Sequence, residues 1–249
     1  MRVVRVQYQE QTFYAELHSD HVRPLDREVQ APENISLEEI ELRRPVQPSK
    51  VVCVGLNYHA HAQELGRSIP LEPLLFLKPP SSVIGPGETV RLPAQSENVH
   101  FEGELAMVMG RFCRNVLEEE AVGHLFGYCC ANDVTARDLQ ERDVQYTRAK
   151  GFDTFCPLGP CIQTELDADR GVGIKTLQNG ELLQEGTTSD MVFSPAHLIS
   201  FVSTIMTLVP GDVILTGTPP GVGPLDAGDT ISVEIEGIGT LENRVRVEE

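Results

Sequence analysis

The chain has 249 residues and no tryptophan, and nowhere does it gather five basic residues in a row. Lys and Arg number 20 against 37 Asp and Glu, for a net charge of −17. Nucleic acid needs clustered cations to displace the counterions condensed on its phosphates, so that class of partner is excluded. An anionic small molecule fits only where a local cation overcomes the field of the chain. Cys-x-x-Cys spacing is missing as well; the six cysteines stand at 53, 113, 129, 130, 156 and 161. They read as reduced core residues of a cytoplasmic protein, with the adjacent Cys129 and Cys130 on opposite faces of a strand.

Long apolar runs are scarce too. The N-terminal MRVVRVQYQE lacks the core of a signal peptide. Met191 to Gly211 carries no formal charge, but it holds several hydroxyl side chains and ends on Pro210-Gly211. Ser194 then Pro195 reads as an N-cap and first helical position. Leu198, Phe201, Val202, Ile205 and Leu208 recur at helical spacing, which makes a packed amphipathic helix rather than a span.

What is present is an ordinary globular composition, 41% hydrophobic with 21 Gly and 17 Pro, enough for one large domain or a main domain with an appendage. Residues 1–45 read as a small β-rich unit, two alternating strands around a Gln-Glu-Gln turn followed by the charged connection ISLEEIELRRPVQPSK. Residues 46–249 form the main domain. There VVCVGL reads as a buried strand, and NYHAHAQELG as a helix stopped by Gly66. LLFLKPP, TVRLP, ELAMVMG and FGYCCANDV add short strands, for an irregular, mainly β core of the α+β class.

Glu102 and Glu104 flank Gly103 at the entry of the strand ELAMVMG. Residues two apart on a strand share a face, and two carboxylates that close need a cation or a shared proton. On its own such a pair is more often solvated on an edge strand. Asp133, after the apolar run LFGYCCAN, stands where a third carboxylate could join them. An all-oxygen set suits Mg²⁺, Mn²⁺ or Ca²⁺ and not zinc. His61 and Glu64, three apart on a helix, can hydrogen-bond as an oriented general base, or make an exposed ion pair; His59 faces elsewhere. Lys150 and Arg137 supply positive charge near DLQERDVQYTRAK, which equally suits a solvated helix face. Lys150 precedes Gly151, where the helix should stop, and Arg142 and Arg148 read as surface. TGTPPGVGPL offers backbone N–H groups and the Thr218 hydroxyl to a carboxylate, or is simply a tight turn.

Six segments, VGLNYHAHAQELG, LFLKPPSSVIGPG, FEGELAMVMG, GYCCANDVTARDLQ, RAKGFDTFCPLGP and LVPGDVILTGTPPGVGPL, together resemble the fumarylacetoacetate hydrolase superfamily, in the family's order and over roughly residues 45–249. The resemblance implies a mixed β-roll and a homodimer. It places the metal ligands on Glu102, Glu104 and Asp133, with Mg²⁺ or Mn²⁺, and a His-Glu dyad on a mobile lid helix at His61 and Glu64. Lys150, Arg137, Gln140 and Thr218 fall on pocket positions. It implies the shorter bacterial-type branch, acting through an enolate on 2-oxo or 2-hydroxy-dienoate acids. Isomerisation or decarboxylation in aromatic-acid breakdown is the expected reaction, with acylpyruvate hydrolysis, oxaloacetate decarboxylation or carboxylate binding without turnover as alternatives.

Overall fold

The first strand, Arg2–Tyr8, alternates so that Val4, Val6 and Tyr8 face one core cluster while Val3 faces another. That two-sided burial is explained by its place. The computed structural model, which describes residues 1–248, seats it within a 12-stranded mixed sheet. Arg2–Tyr8 pairs with Gln11–Leu17 through the turn at Gln9, whose φ is 52°, and on its other edge with Cys156–Gln163. The N-terminal strands are therefore continuous with the sheet of the main domain.

From Cys156–Gln163 the sheet continues through Leu125–Asn132, Gly103–Met109, Val213–Leu215 and Val51–Gly55 to the edge strand Leu74–Lys78. Neighbours along this path are antiparallel except Val213–Leu215 with Val51–Gly55. Every residue of Gly103–Met109 is buried. Leu105 and Met107 point to one cluster, Ala106 and Val108 to the other, as expected of a central strand. Cys129 and Cys130 divide between the same two clusters, and all six cysteines are free and buried.

A second, five-stranded sheet runs Glu181–Thr187, Gly173–Gln178, Thr230–Ile235, Gly239–Val247 and Thr89–Leu92. The helix Pro195–Ile205 covers part of the large sheet. Ser194 caps it, its hydroxyl accepting from His197 N–H at 3.2 Å. Its buried stripe runs through Leu198, Ile199 and Val202, while Ile205 is 53% exposed, so the expected apolar face stops one turn early. Among the described residues no helix is long and apolar enough to cross a membrane.

One expectation fails outright. DLQERDVQYTRAK is not one helix but two, Arg137–Arg142 and Thr147–Lys150. Asp143 is extended, with φ −90° and ψ 143°, and the Arg148 guanidinium grips its carboxylate at 2.8 Å across the break. An unbroken helix would hold Arg137 and Lys150 roughly 20 Å apart along its axis. The break folds the chain back, and both side chains reach Glu102.

Candidate metal and active site

Glu102 ends the approach to the central strand and Glu104 lies just inside it. The neighbouring strand Leu125–Asn132 delivers Asp133 opposite them, with Gly103 in register against Asn132 and Asp133 N–H donating to Glu102 O at 2.8 Å. One carboxylate oxygen from each of Glu102, Glu104 and Asp133 lies within 4.8 Å of the others, and all three residues are buried. The solvated edge-strand reading of the Glu-x-Glu pair is thereby ruled out.

Three cations converge on the cluster. Lys150 Nζ donates to Glu102 Oε2 at 2.9 Å and to Asp133 Oδ2 at 2.7 Å. The Arg137 guanidinium pairs with Glu102 and also donates to Gln140 Oε1 at 2.8 Å. The third is Lys78, which the sequence reading missed: its Nζ donates to Asp133 Oδ1 at 2.6 Å and to Val134 O at 3.0 Å. A lysine closing the apolar run LLFLK, just before two prolines, was the available signal.

Burial opposes the charged form of Glu102, but Arg137 and Lys150 overcome it and hold its carboxyl well below the usual range. Glu104 goes the other way. Burial, then the charges of Asp133 and Glu102, push it well above the ordinary value, against a weaker pull from Lys150 and from Gly217 N–H at 2.7 Å. Burial works against the Lys150 ammonium, yet Asp133 and Glu102 raise it, so it stays protonated. A buried carboxyl driven up by two like charges, in an all-oxygen donor set, fits a hard divalent cation such as Mg²⁺ or Mn²⁺. With Glu104 ionised on such an ion, the three carboxylates balance the three cations, and the charge of the ion would remain to attract an anion.

His61 and Glu64 sit on the short helix His59–Glu64, with His61 Nδ1 2.9 Å from Glu64 Oε2. A carboxylate only accepts, so Nδ1 carries the proton and Nε2 is the basic nitrogen. Glu64 Oε1 also accepts from Gly221 N–H at 3.0 Å, which ties the helix to the Gly-rich loop. His59 is exposed. His61, Gln140 and Thr218 line the same cavity as the three carboxylates, Arg137 and Lys150. Arg67, Phe76 and Tyr146 also line it, and the sequence did not point to them. Lys150 Nζ lies 4.9 Å from the Phe76 ring centre, Tyr146 meets Phe76 edge-on at 5.6 Å, and Arg67 donates to the Tyr146 hydroxyl at 3.2 Å. The Thr218 hydroxyl donates its proton to Gly103 O at 2.8 Å, which braces the strand that carries Glu104 from the cavity side.

The sequence profile described as fumarylacetoacetate (FAA) hydrolase C-terminal matches residues 50–246. The chain belongs to the fumarylacetoacetate hydrolase family. Within it, the solved 5-carboxymethyl-2-hydroxymuconate delta-isomerase of Mycobacterium smegmatis is 43% identical, with TM-score 0.92 and full coverage of both chains. The mitochondrial oxaloacetate tautomerase fahd2 of Xenopus laevis is 42% identical over 85% of this chain and 70% of its own length. Maleylpyruvate hydrolase of Sphingobium sp. SYK-6, solved with manganese(II) and pyruvate, is 30% identical, with TM-score 0.84 and full coverage of both chains. These fumarylacetoacetate hydrolase relatives are enzymes, isomerases and hydrolases among them, and their similarity supports the shorter bacterial-type branch.

Proposed function

We propose that the chain is a divalent-metal-dependent isomerase or tautomerase of 2-oxo and 2-hydroxy-dienoate dicarboxylic acids, with Mg²⁺ or Mn²⁺ held by Glu102, Glu104 and Asp133. The observation that carries the proposal is that His61, oriented by Glu64, lines one cavity with the three-carboxylate cluster. When bound, the metal supplies Lewis acidity and a chelating position for a 2-oxo acid. Lys150 and Arg137, both paired with Glu102, hold positive charge where the substrate oxygen gains electron density on enolisation. Phe76 and Tyr146 wall the cavity. His61 Nε2 takes a proton from the carbon next to the 2-oxo group, while Glu64 keeps Nδ1 protonated and stabilises the imidazolium. In isomerisation the proton returns at another carbon, and in tautomerisation it ends on the 2-oxygen. The names of the isomerase and tautomerase relatives support this reading. Decarboxylation would draw on the same charge stabilisation without needing His61.

The test is product analysis in D₂O with Mg²⁺, using oxaloacetate, an acylpyruvate and 2-hydroxyhepta-2,4-diene-1,7-dioate, on wild type and Glu102→Ala. Deuterium entering next to the 2-oxo group faster than any C–C cleavage, and lost in the variant, supports the proposal. Tight binding of all three without turnover would sink it in favour of a carboxylate-binding protein. A second reading, C–C hydrolysis, draws on the same His61 Nε2 as a base for water and on the maleylpyruvate hydrolase neighbour; faster cleavage of the acylpyruvate would select it. A homodimer, a cytoplasmic site of action and a place in aromatic-acid breakdown belong to the same proposal. Light scattering on the eluted protein tests the first.

A further inference from the structure

Strand Glu181–Thr187 has its polarity inverted. Leu182 and Leu183 are 45% and 37% exposed, while Gln184 between the sheets is fully buried. A buried amide must satisfy one carbonyl and two N–H donors, and Gln184 does so on two different segments. Its Oε1 accepts from Gly103 N–H at 2.9 Å, and its Nε2 donates to Thr218 Oγ1 at 2.9 Å and to Pro219 O at 2.8 Å. Since Thr218 Oγ1 donates to Gly103 O, the three residues close a ring of hydrogen bonds. The ring joins the peptide between Glu102 and Glu104 to the loop whose Gly217 N–H serves Glu104 and whose Gly221 N–H serves Glu64.

The fit around the ring is close. A Cβ on Gly186 would meet Pro219 Cβ at 2.6 Å, and one on Gly221, at φ +96°, would meet Leu183 O at 2.2 Å. The loop therefore lies against the strand that carries Gln184, and both glycines permit the approach.

We propose that Gln184 is a positioning residue for the metal ligands and, through the same loop, for the His61–Glu64 dyad. It does not line the cavity and acts by holding Gly103 and Thr218 at one spacing. Gln184→Met keeps the volume and removes all three bonds; Gln184→Glu keeps the acceptor for Gly103 N–H and loses both donors. Mn²⁺ affinity, read by electron paramagnetic resonance on folded protein, should fall about 10- to 100-fold in Gln184→Met. Gln184→Glu should match that fall, because the Thr218–Pro219 side is released. Leu182→Gln on the same strand should bind Mn²⁺ as wild type does. If Gln184→Met does not fold, Thr218→Val opens the ring from the other side and should show the same fall.

Because the proposal rests on the metal reading of the cluster, wild type is titrated first. Wild type that binds Mn²⁺ but turns over no oxo acid would overturn the proposed reaction and leave this test intact. Mn²⁺ affinity within twofold of wild type in folded Gln184→Met or Thr218→Val would overturn the role of Gln184. An equal loss in Leu182→Gln would overturn it too, since the effect would then be general.

Discussion

Lys78 Nζ lies 2.6 Å from Asp133 Oδ1, and neither side chain meets solvent. Removing one partner of such a pair leaves the other charge buried with less compensation, a loss of about 3–5 kcal/mol. Asp133 keeps Lys150, so the lower end of that range applies to Lys78→Met. A divalent cation would replace the missing charge. Urea unfolding should therefore show a large deficit in EDTA that shrinks in saturating Mg²⁺. An equal deficit under both conditions would argue that no cation binds Asp133.

His61→Ala should slow proton exchange about 10²- to 10⁴-fold and leave Mn²⁺ affinity unchanged. Glu64→Gln should fall less far, since the base remains and only its orienting carboxylate is lost. Exchange rates by NMR beside Mn²⁺ titration separate the two effects. A parallel loss of metal binding in His61→Ala would mean that the dyad helix serves the cluster and not the proton.

Gly103 has no room for a side chain, because a Cβ there would meet Thr176 Oγ1 at 2.0 Å. Gly103→Ala should cost about 1–3 kcal/mol by overpacking. The Thr176 hydroxyl is buried and has no hydrogen-bond partner among the described residues. Thr176→Ala alone should thus be nearly neutral, and the double variant should recover most of the loss. Melting temperatures of the four proteins give the coupling directly; strict additivity would show that Thr176 is not what Gly103 avoids.

Asp212 predicts the acid limb of stability. Burial works against its carboxylate, but Lys50, Ser49 and Val209 N–H outweigh it and hold the carboxyl below its usual 3.8. A group depressed on folding stabilises the fold above the unfolded value and ceases to do so as pH falls through the folded one. Asp212→Asn should lose about 1–3 kcal/mol at neutral pH. The gap to wild type should close below 3.8, where wild type is itself becoming protonated. A gap that stays constant down to acid pH would place the effect in packing, not charge.

The site was legible where its chemistry is local in the chain. Glu102 and Glu104 are two apart and His61 and Glu64 three apart, so strand and helix periodicity alone put each pair on one face. Lys78 and Gln184 act across separations of 55 and 81 residues, which no local pattern encodes. Gln184 left a trace all the same, as the polar residue next to two leucines that the fold turns outward. The break at Asp143 was hidden because each half of DLQERDVQYTRAK has helical character. Only the need for Arg137 and Lys150 to reach one carboxylate separates them. Likewise, nothing near Pro45 indicates that Arg2 pairs with Gln163 in the main sheet.

The six thiols inherited by the fold are all out of reach. An added cysteine on the surface would be the sole site open to a maleimide probe, with no native residue to remove first. Leu71, 99% exposed on the segment that follows the dyad helix, is a natural place for it. A fluorophore there would report, on the unaltered catalytic background, how that helix responds as metal and oxo acid arrive.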